Sequence, residues 1–449
     1  MNPGPRHLIS IDDLSLGEIL SLFEHAQAFG EDLRAWSHIG PGLIAASLFF
    51  EPSTRTRLSF ESAMLRLGGG VITAAEMRNS STSKGESLAD TVRVVSSSYA
   101  DVIVLRHQSE GAARLASLYS DVPVINAGDG SHEHPTQTLC DLYNLWIERG
   151  HIEGLNVVLS GDLRYSRTIH SFVYALARFG ANIVCVPQPG FELPDYVVQR
   201  LREEFGVEPV RADASRLGQL AASSDAVYLT PQKPHQLSLF TDGRGLQVKS
   251  VDALYVTRPQ TERHRAGDDS LAAYPHVGLR ELAAESLRDA VVMHPLPRRD
   301  ELSSEIDADP RSIYFKQAAR GVPIRMAILS YLLGRLDVSG HERAAETRRW
   351  PVRGGENPCD NPTCISHTET RHVTPLFKLA ARHPVRAFCG YCSHQLDVTA
   401  VGCTTTGVFH DRASPAAGKI RPDHLVLFRD EEQARAAGYK PAGRPTPVP

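Results

Sequence analysis

The 449-residue chain has no apolar run approaching the roughly 18 residues needed to span a bilayer. The stretch Met1 to Leu8 lacks the apolar core of a signal peptide. Formal net charge is only −4, so no global excess of either sign points to nucleic acid or a membrane surface. The expectation is a cytoplasmic protein with no membrane or nucleic-acid partner. Neither G-x-x-x-x-G-K-S/T nor G-x-G-x-x-G occurs, which removes support for a nucleotide cofactor. No carboxylate pair and no Ser/His/Asp order stands out as a hydrolytic site. Cysteines are few, seven in all, and a long chain without a signal segment does not read as a disulfide framework.

What is present is a regular alternation. Ala45–Phe50 reads as a strand, and a helix follows from about Arg55 to Leu67, closed by Gly68-Gly69-Gly70. Ala100–Arg106 and Val122–Asn126 are further strands, and His134-Pro135-Thr136-Gln137 opens a helix through Trp146. A second unit begins with the strand Leu155–Asp162, the helix Thr168–Phe179 and the strand Ala181–Val186. Strand-then-helix order predicts an α/β protein of two doubly wound, parallel-sheet domains with the active site in the cleft between them. The expected divisions are 1–150, completed by a C-terminal helix at about 319–337; 151–318; a linker at 338–354; a metal-binding unit at 355–400; and an extension at 401–449 ending in a disordered tail. Asp225–Gln232 is echoed by Asp252–Gln260, with 231–251 between them reading as an inserted loop.

Chemistry concentrates in Phe49–Glu61. Two hydroxyls and a guanidinium, Ser53-Thr54-Arg55, open the helix. Ser53 or Thr54 can cap it, and backbone N–H groups with a planar cation make a cradle for phosphate. On local features alone, an ordinary capped helix with a solvated Arg explains the segment equally well. Further along, Lys84, Arg106, His134, Gln137, Arg167, Arg258 and Gln260 recur at strand ends and loops. Guanidiniums and amides together suit a small, multiply anionic substrate.

Cys359-x4-Cys364 and Cys389-x2-Cys392 are 24 residues apart. Four thiolates at two close spacings predict a structural Zn2+ ribbon. Cys140 and Cys185 sit in apolar segments and read as buried small hydrophobes.

Seven motifs in order resemble the catalytic chain of aspartate carbamoyltransferase from about 7 to 337. They are Ser53-Thr54-Arg55-Thr56-Arg57, Lys84-Gly85-Glu86, Leu105-Arg106-His107, His134-Pro135-Thr136-Gln137, Gly161–Thr168, Thr257-Arg258-Pro259-Gln260 and His294-Pro295-Leu296-Pro297-Arg298. The resemblance implies roles. Ser53, Thr54, Arg55 and Thr56, with Arg106, hold the phosphate of carbamoyl phosphate. Arg106, His134 and Thr56 polarise its carbonyl, and Gln137 with the carbonyls near Pro295 and Leu296 holds its amine. Arg167, Arg258 and Gln260 grip the carboxylates of L-aspartate. Lys84, with Ser80 or Ser81, reaches into a neighbour's site, which implies a homotrimer or a multiple of trimers. Glu51, Arg167 and Arg263 resemble domain-closure ion pairs. No catalytic cofactor is implied, because the phosphate leaving group can take up the amine proton. Ornithine carbamoyltransferase shares two motifs but has Cys where Pro295 stands, and two arginines facing the acceptor favour a dicarboxylate. The alternatives are an ornithine-type transferase or a silent assembly chain of the same fold. Arg57 is expected to support the loop, His107 and His170 to be structural, and Arg298 and Arg299 read equally well as surface residues.

The cysteine segment resembles the zinc domain of that family's regulatory chain, fused here. About 20 residues between 337 and Cys359 leave no room for a nucleotide-binding domain, so nucleotide control is not expected. The ribbon is expected to make inter-subunit contacts, joining trimers or a dihydroorotase partner. Nucleic-acid binding by the ribbon is disfavoured by its few aromatics. The segment from about 404 to 445 weakly resembles a small metal-binding module of DNA-repair methyltransferases. Ala442 and Pro445 stand where its cysteines would follow, so metal binding there is not expected and a packing role is.

Overall fold

The computed structural model describes residues 5–75, 85–230, 252–258, 276–337, 348–353, 357–369 and 373–442. The first unit runs α1 (Leu16–Glu31), β1 (Ile44–Phe49), α2 (Thr54–Arg66), β2 (Gly70–Ala75), α3 (Leu88–Val94), β3 (Val102–His107), α4 (Ala112–Tyr119), β4 (Val124–Asp129) and α5 (Pro135–Arg149). Its strands pair in the order β2-β1-β3-β4, all parallel. Strands β3 and β4 are buried throughout. That burial explains why they read as continuous apolar runs rather than alternating ones, since helices cover both faces.

The second unit runs β5 (Asn156–Gly161), α6 (Arg167–Arg178), β6 (Asn182–Pro187), α7 (Asp195–Phe205), β7 (Val210–Arg211), α8 (Leu217–Ala222), β8 (Ala226–Leu229), β9 (Ala253–Val256), α9 (Leu279–Leu282) and β10 (Val291–Met293). Six parallel strands take the order β10-β9-β8-β5-β6-β7. The sequence echo has a structural meaning: its two copies are the neighbours β8 and β9, paired in register. Tyr228 and Tyr255 stack at 4.2 Å and 12° as a result. The insertion expected at 231–251 lies outside the described residues. Helix α10 (Tyr314–Leu332) then returns to pack on α1, α2 and α5 of the first unit.

In each sheet the strand order reverses once, between β1 and β3 and between β5 and β8. Crevices at such switch points, beyond the C-terminal strand ends, are where open α/β sheets bind ligands. Glu51–Arg55 leave β1 and Arg106 ends β3, while Arg167 follows β5 and Arg258 follows β9.

The C-terminal third is two small sheets. In one, β11 (Trp350–Pro351), β12 (Leu376–Arg382) and β13 (Val385–Cys389) pair antiparallel. Trp350 therefore belongs to this sheet, stacked on Phe377 at 5.7 Å, although charged neighbours made its segment read as linker. In the other, β14 (Ala400–Cys403), β15 (Val408–Asp411), β16 (Leu425–Phe428) and β17 (Lys440–Pro441) take the order β16-β14-β15-β17. Pro441 thus lies in a strand, and residues 443–449 of the expected tail lie outside the described residues. Val401, Leu425 and Leu427 share one apolar cluster with the four paired cysteines and with Ala46, Leu48 and Leu115 of the first unit.

The metal-binding unit docks on its own chain. The Glu110 carboxylate accepts from Asn361 Nδ2 at 2.8 Å and from Thr363 Oγ1 at 3.0 Å. His132 Nε2 lies 3.2 Å from Ser393 Oγ. Tyr196 of α7 packs against His394 with ring centroids 4.7 Å apart, and Glu203 and Glu204 pair with Arg386 and Lys378. The unit therefore touches both α/β sheets' helices. Among the described residues, no helix is long and apolar enough to cross a membrane.

Candidate active site and metal centre

A cleft of about 610 Å3 opens where the two sheets' C-terminal edges face each other. It gathers Ser53, Thr54, Arg55, Thr56, Arg106, His134, Gln137, Arg167, Arg258, Pro295 and Leu296. Lys84 and Gln260, with Ser80, Ser81 and Arg263, lie outside the described residues.

Three helices aim their N-termini into this space, because Thr54, Gln137 and Arg167 on their first turns all line it. Ser53 occupies the N-cap of α2, yet its hydroxyl makes no capping hydrogen bond, contrary to the sequence expectation. The backbone at Ser53 (φ −160°, ψ 87°) departs from the extended conformation usual at a capping residue. First-turn N–H groups, unclaimed by that side chain, are a ready anion site, reinforced by the helix dipole. His134 at the N-cap of α5 has Pro135 next to it, whose missing N–H costs nothing at that position.

The electrostatics point the same way. Arg106 is buried, and burial together with the like charges of Arg167 and Arg258 presses its pKa down, while Glu51 opposes the shift. Arg55 is pushed the same way by burial and by Arg258. Glu51 lies 3.2 Å from Arg106 and 3.6 Å from Arg167, so one carboxylate straddles the two sheets. Arg167 also donates to the Gly130 carbonyl at 2.9 Å. Crowded guanidiniums in a half-dry cleft are stabilised by a multiply charged anion.

Pro295 and Leu296 sit on a loop fixed by His294. The Leu296 N–H donates to His294 Nδ1 at 2.7 Å, and His294 Nε2 faces Glu301 at 2.8 Å, which sets the tautomer. Leu296 takes φ 52°, a left-handed conformation that costs a branched residue energy and marks a constrained site.

Sequence reasoning missed the floor of the cleft. Asp141, 1% exposed, accepts from Gln137 Nε2 at 2.8 Å, Tyr255 OH at 2.9 Å and Gln317 Nε2 at 3.1 Å. Burial raises its pKa from 3.8 to about 7, against those hydrogen bonds. The four-residue spacing of Gln137 and Asp141 on one helix was the available signal. Gln317 comes from α10, 176 residues away, and nothing local announces it.

Other expectations separate cleanly. Arg298 pairs with Asp307 and reaches Tyr314 OH at 3.1 Å, so it supports its loop, and Arg299 is exposed. His107 packs against Phe50 in a tilted ring contact at 4.8 Å and accepts from Ser109 N–H, and His170 faces the Leu163 carbonyl, both structural positions. Arg57 lies 3.7 Å from Glu61 on its own helix.

In the C-terminal unit, Cys359 and Cys392 have sulfurs 3.7 Å apart, as do Cys364 and Cys389. All four are buried and their sulfurs lie within 4.8 Å of one another. Ser366 Oγ donates to Cys364 Sγ at 3.1 Å, the kind of outer partner that orients a metal ligand. Cys403 belongs to no group of metal-ligating side chains among the described residues.

The fold and its arginine-walled cleft define an α/β protein of two parallel sheets with a site suited to small anions. Comparison with known proteins gives the family. Residues 6–146 match the aspartate/ornithine carbamoyltransferase carbamoyl-P binding domain, 230–332 the Asp/Orn binding domain, and 357–401 the metal binding domain of the aspartate carbamoyltransferase regulatory chain. The catalytic subunit of Thermoplasma acidophilum aspartate carbamoyltransferase is 42% identical over 332 residues, 73% of this chain and 98% of that one. Among solved structures, the M. jannaschii catalytic subunit superposes with TM-score 0.59 at 41% identity, covering 73% of this chain and 98% of that one. A Trypanosoma cruzi aspartate transcarbamoylase in complex with N-(phosphonacetyl)-L-aspartic acid gives TM-score 0.58 at 34% identity, covering 73% of this chain and 95% of that one. The chain belongs to the aspartate carbamoyltransferase family, with a regulatory-chain type of metal-binding domain fused to its C-terminal side.

Proposed function

We propose that this chain transfers the carbamoyl group of carbamoyl phosphate to L-aspartate, giving N-carbamoyl-L-aspartate and phosphate, the step that commits aspartate to pyrimidine synthesis in the cytoplasm. The observation that carries this reading is the gathering of Arg55, Arg106, Arg167 and Arg258 from two sheets into one cleft. Ser53, Thr54 and Arg55 at the start of α2 hold the phosphate, with Arg106 beside it. Arg106, His134 and Thr56 face the carbonyl oxygen. Gln137 and the backbone carbonyls at Pro295 and Leu296 accept from the carbamoyl amine. Arg167 and Arg258, joined by Gln260, take the two carboxylates of aspartate. Two guanidiniums at that end repel the ammonium of ornithine.

The α-amine attacks the carbamoyl carbon, a C–N bond forms and the carbonyl oxygen becomes an oxyanion. Arg106, His134 and Thr56 stabilise that charge. The C–O bond to phosphate then breaks, and the departing phosphate takes the proton released by the amine. Holding both reactants in one cleft supplies the rest.

Three features of the assembly follow from the same reading. Leu58 and Leu65 on α2 and Ile72 on β2 are 52%, 59% and 39% exposed. Leu65 and Ile72, which do not line the cleft, support a homotrimer in which a neighbour's Lys84 completes each site. The cysteine quartet holds zinc, since four Zn–S bonds of about 2.3 Å place sulfurs about 3.8 Å apart. Residues 1–150 with α10, and 151–318, serve as the carbamoyl phosphate and aspartate halves.

The test is phosphate release by purified protein. Release that requires carbamoyl phosphate and L-aspartate together is expected; release driven by ornithine and not aspartate overturns the substrate assignment.

A further inference from the structure

Resting on the assignment of Gln137 to the carbamoyl amine, the hydrogen-bond network beneath the cleft carries a second conclusion about substrate choice. Its direction can be traced one group at a time. The main-chain N–H of His294 donates to Gln317 Oε1 at 2.9 Å. An N–H can only donate, so Gln317 is oriented with Nε2 on its other side, where it reaches Asp141 Oδ1. Asp141 Oδ1 is therefore an acceptor. Tyr255 OH donates to the same oxygen, and so does Gln137 Nε2. With its Nε2 committed to Asp141, Gln137 has Oε1 as the amide atom left for the cleft it lines.

We propose that Asp141 is a positioning residue that sets acyl-donor specificity: its buried carboxylate fixes the Gln137 amide with the oxygen outward, so the cleft selects an acyl phosphate bearing N–H groups over one bearing a methyl group. The argument rests on complementarity. Gln137 Oε1 and the backbone carbonyls at Pro295 and Leu296 are acceptors, and a carbamoyl –NH2 carries two donors. Acetyl phosphate is close in shape but carries –CH3 there, so it buries those acceptors without a partner. A site built to pair a substrate N–H rejects the analogue lacking it far more strongly than a site that merely fits its shape. The same network also anchors the acceptor loop, because His294 that orients Gln317 also receives the Leu296 N–H. One chain of hydrogen bonds thus orients both sets of acceptors, drawing on both sheets and on α10.

The experiment compares kcat/KM for carbamoyl phosphate and acetyl phosphate at saturating L-aspartate and pH 8.5, where Asp141 is ionised. In the unaltered protein the ratio is expected to exceed tenfold in favour of carbamoyl phosphate, roughly the worth of one satisfied hydrogen bond in a buried site. Asp141→Leu keeps roughly the volume but offers Gln137 Nε2 no acceptor, so the amide loses its fixed direction. The ratio is expected to narrow roughly tenfold, through loss of carbamoyl phosphate kcat/KM, with the acetyl phosphate rate and the KM for aspartate little changed. A parallel fall with both donors, or an unchanged ratio, overturns the proposal and leaves Asp141 a structural residue. If Asp141→Leu does not fold, the unaltered protein still decides: a ratio near one overturns the outward orientation of Oε1. Failure of the underlying assignment looks different, since no transfer would then occur with carbamoyl phosphate at all.

Discussion

Two clusters of four like groups dominate this molecule, and they are built on opposite principles. Arg55, Arg106, Arg167 and Arg258 come from four strand ends on two sheets and share an open cleft. Cys359, Cys364, Cys389 and Cys392 come from two short loops and are sealed inside a small apolar unit. Each set repels itself without an opposite charge. The open set suits a ligand that arrives and leaves, and the closed set one that stays. On the proposed reading, the first belongs to turnover and the second to folding.

The largest effect expected from breaking that contrast is on the closed cluster. Structural zinc contributes on the order of 10 kcal/mol to folding in small metal domains. Cys389→Ser, or a strong chelator, should abolish the bound metal, measured as about one zinc per chain before and none after. Limited proteolysis should then cut within 357–442 while 5–230 stays protected. Unchanged metal content would place the metal elsewhere.

Arg106→Ala should act the other way, on rate and not on fold. Loss of one oxyanion donor raises the barrier by about 3 kcal/mol, so kcat should fall ~100- to 1000-fold. The melting temperature should stay or rise, because a buried cation among like charges is removed. A large loss of stability would make Arg106 a structural residue.

Arg258→Ala should raise the KM for aspartate roughly 10- to 100-fold, as loss of a charge-assisted hydrogen bond implies, and spare the KM for carbamoyl phosphate. Equal changes in both constants would dissolve the division of the cleft into two halves. Inorganic phosphate should stabilise the unaltered protein by about 2.7 kcal/mol at a hundred times its Kd, read as a shift in thermal melting, and should lose that effect in Arg106→Ala.

The last effect, on the pH dependence of stability, concerns Asp141. Its folded-state pKa, about 7, lies above the ordinary 3.8, so the folded state holds this proton more tightly than the unfolded chain does. The stability from this group is complete below about pH 3.8 and is lost as pH rises to about 7. The melting temperature of Asp141→Asn relative to the unaltered protein should therefore climb between pH 4 and 7 and level off above. A flat difference would show that Asp141 titrates normally.

The contrast between the clusters also explains what could be read in advance. Cysteine spacings and the Ser53–Arg57 run are local, so their chemistry shows in the sequence. Parallel strands announced themselves because covered sheets are continuously apolar. The Asp141–Gln317 contact joins helices 176 residues apart, and no pattern within either helix encodes it. Trp350 read as linker because a two-residue edge strand leaves no periodicity, and only Phe377 across the sheet explains it. Nothing in the sequence singles out Glu110, yet it is the buried receptor for Asn361 and Thr363. The missing cap at Ser53 goes with a local backbone conformation that composition does not specify.

The central claim, that arginines from two sheets form one site, is tested most directly by binding of N-(phosphonacetyl)-L-aspartic acid measured calorimetrically. The expected result is one molecule per active site, bound far more tightly than phosphate or L-aspartate alone, and weakened by both Arg106→Ala and Arg258→Ala. Binding no tighter than that of phosphate, or sensitivity to only one of the two substitutions, would contradict it.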